Sequence, residues 1–265
     1  MALLAGEEIL GICEGIAGKF SAALEGAKLP AKKEDRQPRI AAAFFFTKAA
    51  RTMAGLKTLW VAGYDEDAVV LARSLTEILL QAAYLNQEPA VRAAALLDHV
   101  EKSKVRMLKR RQKGEEKRDA SGKPALRQLS HELTARNPKI DLTDPQKLHD
   151  NWWKGTLADL ADAWLGEEHG EPILDDYYSS YIADSHYAHT SPLVMPDYIE
   201  VHGDALSVLK ESPLRHDLDV VINAAKRFLG IAMVCAEIWE LPAGHEVLAA
   251  VNQVGTLAGH RRASP

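Results

Sequence analysis

The sequence predicts an all-α protein, a multi-helix bundle with one short β-hairpin near residues 198–208, and three observations carry that reading. Alanine and leucine are abundant, clusters of β-branched residues are scarce, and apolar residues recur mostly at spacings of three and four. Hydrophobic residues make up 47% of the 265 positions, which is enough to build a core. The formal net charge of −5 is mild and selects no polyanionic partner.

The elements follow in order. A first helix is expected over about Leu3 to Leu24, with Ile9, Ile12, Ile16, Phe20 and Leu24 as its apolar stripe. Lys28 to Pro38, with two prolines and the charged run Lys32–Arg36, reads as a linker. The second helix runs from about Ile40 to Ala62 and carries the triplet Phe44-Phe45-Phe46. Asp65 then reads as the N-cap of a third helix reaching about Asn86. That helix is the most apolar (Val69, Val70, Leu71, Leu75, Ile78, Leu79, Leu80, Leu85) and should be central. Pro89 suits the first turn of a fourth helix. Lys113 to Pro124 reads as an exposed, mobile loop, followed by a helix over about Ala125 to Arg136.

Further helices are expected over about Asn151 to Leu165 and Leu174 to His189. Tyr198–Val201 and Ala205–Val208 should pair as a hairpin across His202-Gly203-Asp204. A long apolar helix over about Pro213 to Glu240, a last one over about Gly244 to Ala258 and a polar tail from His260 complete the chain. The domain reading is an N-terminal helix or extension (1–27), one helical domain (38–258) and a tail (259–265). Cys13 and Cys235 sit in apolar stretches and read as two buried thiols of a reducing compartment. The longest apolar run is Phe228 to Ala236, far short of the roughly 20 residues a bilayer span needs. A cytoplasmic protein with no membrane segment is the expectation.

Motifs exclude more than they identify. The chain has no phosphate-binding loop, no dinucleotide glycine pattern, no nucleophile elbow, no His-Glu-x-x-His and no Glu-x-x-His. Two polar groups stand on apolar helices instead. Arg73 and Glu77 lie one turn apart on the third helix, either as a structural ion pair or as pocket lining. Tyr177, Tyr181, Ser185 and His189 are spaced by four and line one face of the tyrosine-bearing helix. Ser185 and His189 have the spacing of a nucleophile–base pair, and His186 and His189 that of two metal ligands, although no carboxylate or cysteine motif accompanies them. The candidate binding set is therefore Arg73, Glu77, Tyr181, Ser185 and His189. His189, Ser185 and Glu77 are the catalytic candidates. No metal or cofactor is expected.

The string Ala72-Arg73-Ser74-Leu75-Thr76-Glu77, the pair Trp152-Trp153 and the later Tyr181, Ser185, His189 and Ser191 together resemble DUF5677, a bacterial family of unknown function. The resemblance covers roughly residues 40–195. It implies an all-α bundle in which Arg73, Glu77, Ser185 and His189 converge, and it implies no activity. Arg92 and His99, with six residues between them, also fit the signature of the helical HEPN ribonucleases of bacterial defence and toxin–antitoxin systems, although Ala93 stands where that family places a polar residue.

Charge offers one more candidate. From Glu101 to Arg127 eleven Lys or Arg stand against four acidic residues, so Lys102–Arg127 is a candidate nucleic-acid contact, without an aromatic residue to stack on bases. The bland alternative is a solvated helix end. A bundle this rich in Ala and Leu can also pair through an exposed stripe, which leaves a homo-oligomer open. Two function classes remain: a helical binding or interaction module, and a phosphodiester-cleaving toxin or defence ribonuclease using His189 or His99 as general acid or base.

Overall fold

The computed structural model describes residues 2–116, 152–153, 156–163, 181, 184, 199–202, 205–208 and 216–262. Over these the chain forms seven helices and a hairpin: α1 (Ala2–Gly26), α2 (Lys33–Val61), α3 (Asp65–Gln87), α4 (Pro89–Glu116), α5 (Leu157–Ala163), β1 (Ile199–His202), β2 (Ala205–Val208), α6 (Leu218–Trp239) and α7 (Gly244–Arg262). The all-α bundle read from the sequence is the fold.

Helix ends differ from the sequence reading for local reasons. The charged run Lys33–Arg36 is the first turn of α2, not linker, because Glu34 and Asp35 suit the positive end of the helix dipole. Pro38 lies inside α2 and is buried. Helix α4 continues to Glu116, so residues 113–116 are helical; residues 117–151 lie outside the described set. Helix α5 begins at Leu157 rather than near Asn151. Thr156 and Asp159 form a reciprocal cap, with Thr156 Oγ1 accepting the Asp159 N–H at 3.2 Å and Asp159 Oδ2 accepting from Thr156 Oγ1 at 2.8 Å. The Thr156 main-chain N–H, which also donates to Asp159 Oδ2, and then the Thr156 hydroxyl hold the Asp159 carboxyl below its ordinary pKa. Helix α7 runs on to Arg262, taking in the start of the expected tail. The hairpin pairs His202 with Ala205 and Ile199 with Val208, so its loop is two positions, 203 and 204, rather than three.

The core is built on α2, α3 and α6, which pack against one another; α6 also meets α1 and α7, and α3 also meets α4 and α5. Helix α6 is apolar on nearly every face, and its Phe228 ring lies 5.9 Å from Phe46 of α2. Gly230 lets α3 approach, since a Cβ there would sit 3.0 Å from Leu79 Cδ1. Helix α1 is set apart in sequence but not in packing: Ile9, Leu10, Cys13, Ile16 and Phe20 are buried in the same core cluster. Both cysteines are free, and burial pushes each thiol up to about 12, so neither is a thiolate at neutral pH. Of the described helices, α3 is long and apolar enough to cross a membrane, and most of that stretch is buried against its neighbours.

Gly6 shows how closely α1 docks. A Cβ at this position would lie inside the Trp60 indole, with Cζ3 2.7 Å away, whereas one at Gly15 meets nothing within 4 Å. Gly6→Ala is therefore expected to destabilise by about 1–3 kcal/mol through overpacking. Gly15→Ala should gain about 0.5–1 kcal/mol from helix propensity. Urea melts of the two variants check the contrast, and equal shifts would place α1 away from Trp60.

Candidate functional site

Helix geometry puts Arg73 and Glu77 on one face of α3, and their side chains pair at 3.1 Å. Tyr181 joins them from 104 residues beyond Glu77. Its hydroxyl accepts from Arg73 Nη2 at 2.9 Å and donates to Glu77 Oε1 at 3.1 Å. The Arg73 guanidinium also lies 4.8 Å from the centre of the Tyr181 ring, a cation–π distance. The ring is anchored from below: Tyr181 is buried in a small cluster with Leu80 of α3 and Leu160 and Ala161 of α5.

Burial first, and the Glu77 carboxylate second, hold the Tyr181 phenol above its ordinary pKa, against the pull of Arg73. At neutral pH the phenol therefore keeps its proton and acts as a donor to Glu77, not as a base. The cluster is not sealed. The Arg73 side chain is 18% exposed and that of Glu77 34%. A cation, a phenol and a carboxylate thus meet at the edge of the core, with the carboxylate the most accessible. Such an arrangement can orient a polar, hydrogen-bonding group. Ser185 and His189, the other two members of the candidate set, lie outside the described residues, as do Tyr177 and His186.

A neighbouring ion pair was not singled out from the sequence. Arg227, near the middle of α6, is 1% exposed, donates to the Ala72 carbonyl at 2.8 Å and pairs with Asp184 at 3.4 Å. Asp184 is three residues past Tyr181, so two arginines, Arg73 from α3 and Arg227 from α6, hold this stretch to the bundle. The signal in the sequence is the pair Lys226-Arg227 amid the apolar run of α6, of which Lys226 is exposed and Arg227 buried. Trp152 adds a further tie, its Nε1 donating to Gln81 Oε1 at 3.2 Å.

Arg92 and His99, the residues of the nuclease signature, both stand on α4. The Arg92 guanidinium stacks 3.8 Å from the Tyr84 ring centre, donates to the Tyr84 carbonyl and to Gln87 Oε1, and lies 3.8 Å from Glu88. It closes the α3–α4 corner. The His99 Nε2 is 3.1 Å from Ser103 Oγ. Among the described residues no three His, Cys, Asp or Glu side chains converge as a metal site. In the basic stretch, Lys104 is exposed on α4, while 117–127 lie outside the described residues.

A family model described as "Family of unknown function (DUF5677)" matches residues 39–206, a span that runs from within α2 to within β2. No curated protein and no solved structure matches the chain.

Proposed function

This chain belongs to the DUF5677 family of unknown function, whose model spans more than half of its length, and from that premise we propose that it is a binding module. Its site is the polar cluster around Arg73, Glu77 and Tyr181, continued by Ser185 and His189 at the next two four-residue steps. The observation that carries the reading is the Tyr181 hydroxyl, which bonds both Arg73 and Glu77 while Glu77 keeps a third of its side chain in solvent. The ligand class that suits this edge is a small polar molecule, or a partner side chain, that donates to Glu77 and accepts from the His189 imidazole or the Ser185 hydroxyl.

Nothing in the geometry of Arg92 favours the nuclease alternative, because its guanidinium is committed to the α3–α4 corner. Purified protein is expected to leave a short single-stranded RNA intact. Cleavage that is abolished by replacing both His99 and His189 with Ala would reverse this choice.

Thermal-shift measurement against a panel of polar metabolites tests the binding reading. Wild type is expected to rise in Tm with one chemical class, and Arg73→Ala and His189→Ala to lose that response. No stabilisation by any member, with both variants changed only in Tm, would reduce the cluster to structure. Tyr181→Phe deletes one hydroxyl and is expected to lower stability by about 1–3 kcal/mol, because Arg73 and Glu77 are partly buried and each loses a partner. A urea melt unchanged within about 0.5 kcal/mol would show that the hydroxyl holds nothing.

A further inference from the structure

Helix α4 is 28 residues long, about 42 Å at 1.5 Å per residue. Ala93 and Leu96, in its first half, are buried in the core cluster, and the helix packs mainly on α2. Steps of three and four lead from Ala93 along the same side to Val100, Lys104 and Met107. There the side is open: Val100 is 40% and Met107 65% exposed, and Lys104 is exposed with them. The second half of α4 thus runs on past the core that holds the first. A different line follows the opposite side. Lys102 comes nine residues after Ala93, about two and a half turns, so it stands on the side turned from the core. Val91, Ala95 and Asp98 are exposed along that line, and the same spacing continues through Lys102, Arg106, Lys109 and Lys113 to Glu116.

From Lys102 to Lys113 the chain holds seven basic residues and no acidic one. Four of them make the outward line, which spans about 16 Å of helix. Lys104, Arg110 and Arg111 flank it. The whole chain carries a formal charge of −5, so the rest is more acidic still, and a polyanion is repelled elsewhere and drawn to this helix. A nucleic-acid duplex presents one phosphate charge for about every 1.7 Å of its axis, so several phosphates fall within the length of the line. We propose that Lys102, Arg106, Lys109 and Lys113 grip the phosphate backbone of double-stranded nucleic acid without reading its bases.

The composition of the helix selects this partner over other anionic ones. A single strand is held by stacking its bases on aromatic rings, and Lys102–Lys113 contains none. A membrane surface requires a continuous apolar side to bury among acyl chains. On α4 that side is broken, because Lys104 stands between Val100 and Met107 and Arg111 follows one heptad later. A protein interface is centred on large buried anchors, and the outward line has no large apolar residue from Asp98 to Glu116. What remains is a row of cations, which suits a regular row of phosphates and gives affinity without sequence preference. This surface is separate from the polar cluster on α3, and neither depends on the other.

Fluorescence anisotropy of the full chain with a labelled DNA duplex, the RNA duplex of the same sequence and the single strands tests the proposal across a salt series. Duplexes should bind at low salt, tighter than either single strand and equally for a scrambled sequence. The logarithm of the binding constant for the DNA duplex should fall with the logarithm of salt at a slope of about −3 to −4 or steeper, as four phosphate contacts require. Replacing Lys102, Arg106, Lys109 and Lys113 together by Gln, a good helix former, should weaken binding by about tenfold or more and flatten the slope by about 3. Lys104→Gln with Arg111→Gln, on the other side, should cost less. Lys109→Gln alone should flatten the slope by about 1, which keeps the test open even if the fourfold variant does not fold. No duplex binding at low salt, a slope near zero, unchanged binding by a folded fourfold variant, or a larger loss from the Lys104 and Arg111 pair would each overturn the proposal. So would equal displacement by polyglutamate, which would make the partner an acidic protein, or tighter binding to vesicles of anionic lipid.

Discussion

Arg227→Ala is expected to cost about 3–5 kcal/mol of folding free energy, the loss typical of breaking a buried ion pair from one side. The Arg227 side chain is buried on α6, 1% exposed. It joins three segments at once, through the Ala72 carbonyl of α3 and the Asp184 carboxylate. Truncation leaves Asp184 facing a space once filled by a cation, and it removes the bulk of a long side chain from between α3 and α6. Thr76 makes the position stricter. Among the described residues its buried hydroxyl has no hydrogen-bond partner, while Arg227 reaches the Ala72 carbonyl one turn before it, the acceptor such a hydroxyl ordinarily uses.

A double-mutant cycle separates charge from volume. Arg227→Met keeps most of the packing and takes the cation away from Asp184, so it should remain costly. Adding Asp184→Leu to Arg227→Met should recover stability rather than lose more, because apolar replacement of a whole buried pair is often neutral or favourable. Urea unfolding measures all three. A loss under about 1 kcal/mol for Arg227→Ala would mean that the pair is effectively solvated.

The contrast between Arg73 and Arg227 shows what a sequence can disclose. Arg73 and Glu77 could be paired from spacing alone, because four residues is one helical turn. The periodic apolar stripes likewise gave α1 to α4, α6 and α7, whose centres need only local information. The Asp184–Arg227 pair spans 43 residues, and no local period encodes such a distance. Arg227 follows Lys226 in an apolar helix, and nothing local says which of the two basic residues is buried or against what.

Tyr181 reached its place in the candidate set by two routes: its polar face, and a resemblance that placed its helix near α3. Contact between its hydroxyl and both Arg73 and Glu77 is a tertiary fact that only the fold supplies. His216 gave no warning, since left-handed backbone is usually marked by glycine or asparagine and here falls on a histidine. The sequence reads Asp65 as the N-cap of α3. It is instead buried, Tyr64 occupies the cap position without a side-chain bond, and the carboxylate turns toward α6.

Trp60→Ala should match Arg227→Ala in size, about 3–5 kcal/mol, for an apolar reason. The indole is fully buried at the meeting point of four segments. Gly6 of α1 abuts its ring, the His216 ring meets it in a T-shaped contact, its N–H holds the Asp217 carbonyl, and α3 begins five residues later. Trp60→Phe retains an aromatic ring and gives up the N–H, so its loss should be smaller, at about 1–3 kcal/mol. The decisive variant combines Gly6→Ala with Trp60→Ala. Gly6→Ala harms the wild type because the indole occupies the space its methyl needs; without the indole that space is free. The double variant should therefore be more stable than the two single losses predict, by about 0.5–3 kcal/mol. Simple additivity in urea melts would place the Gly6 methyl elsewhere, and the docking of α1 through Trp60 would have to be abandoned.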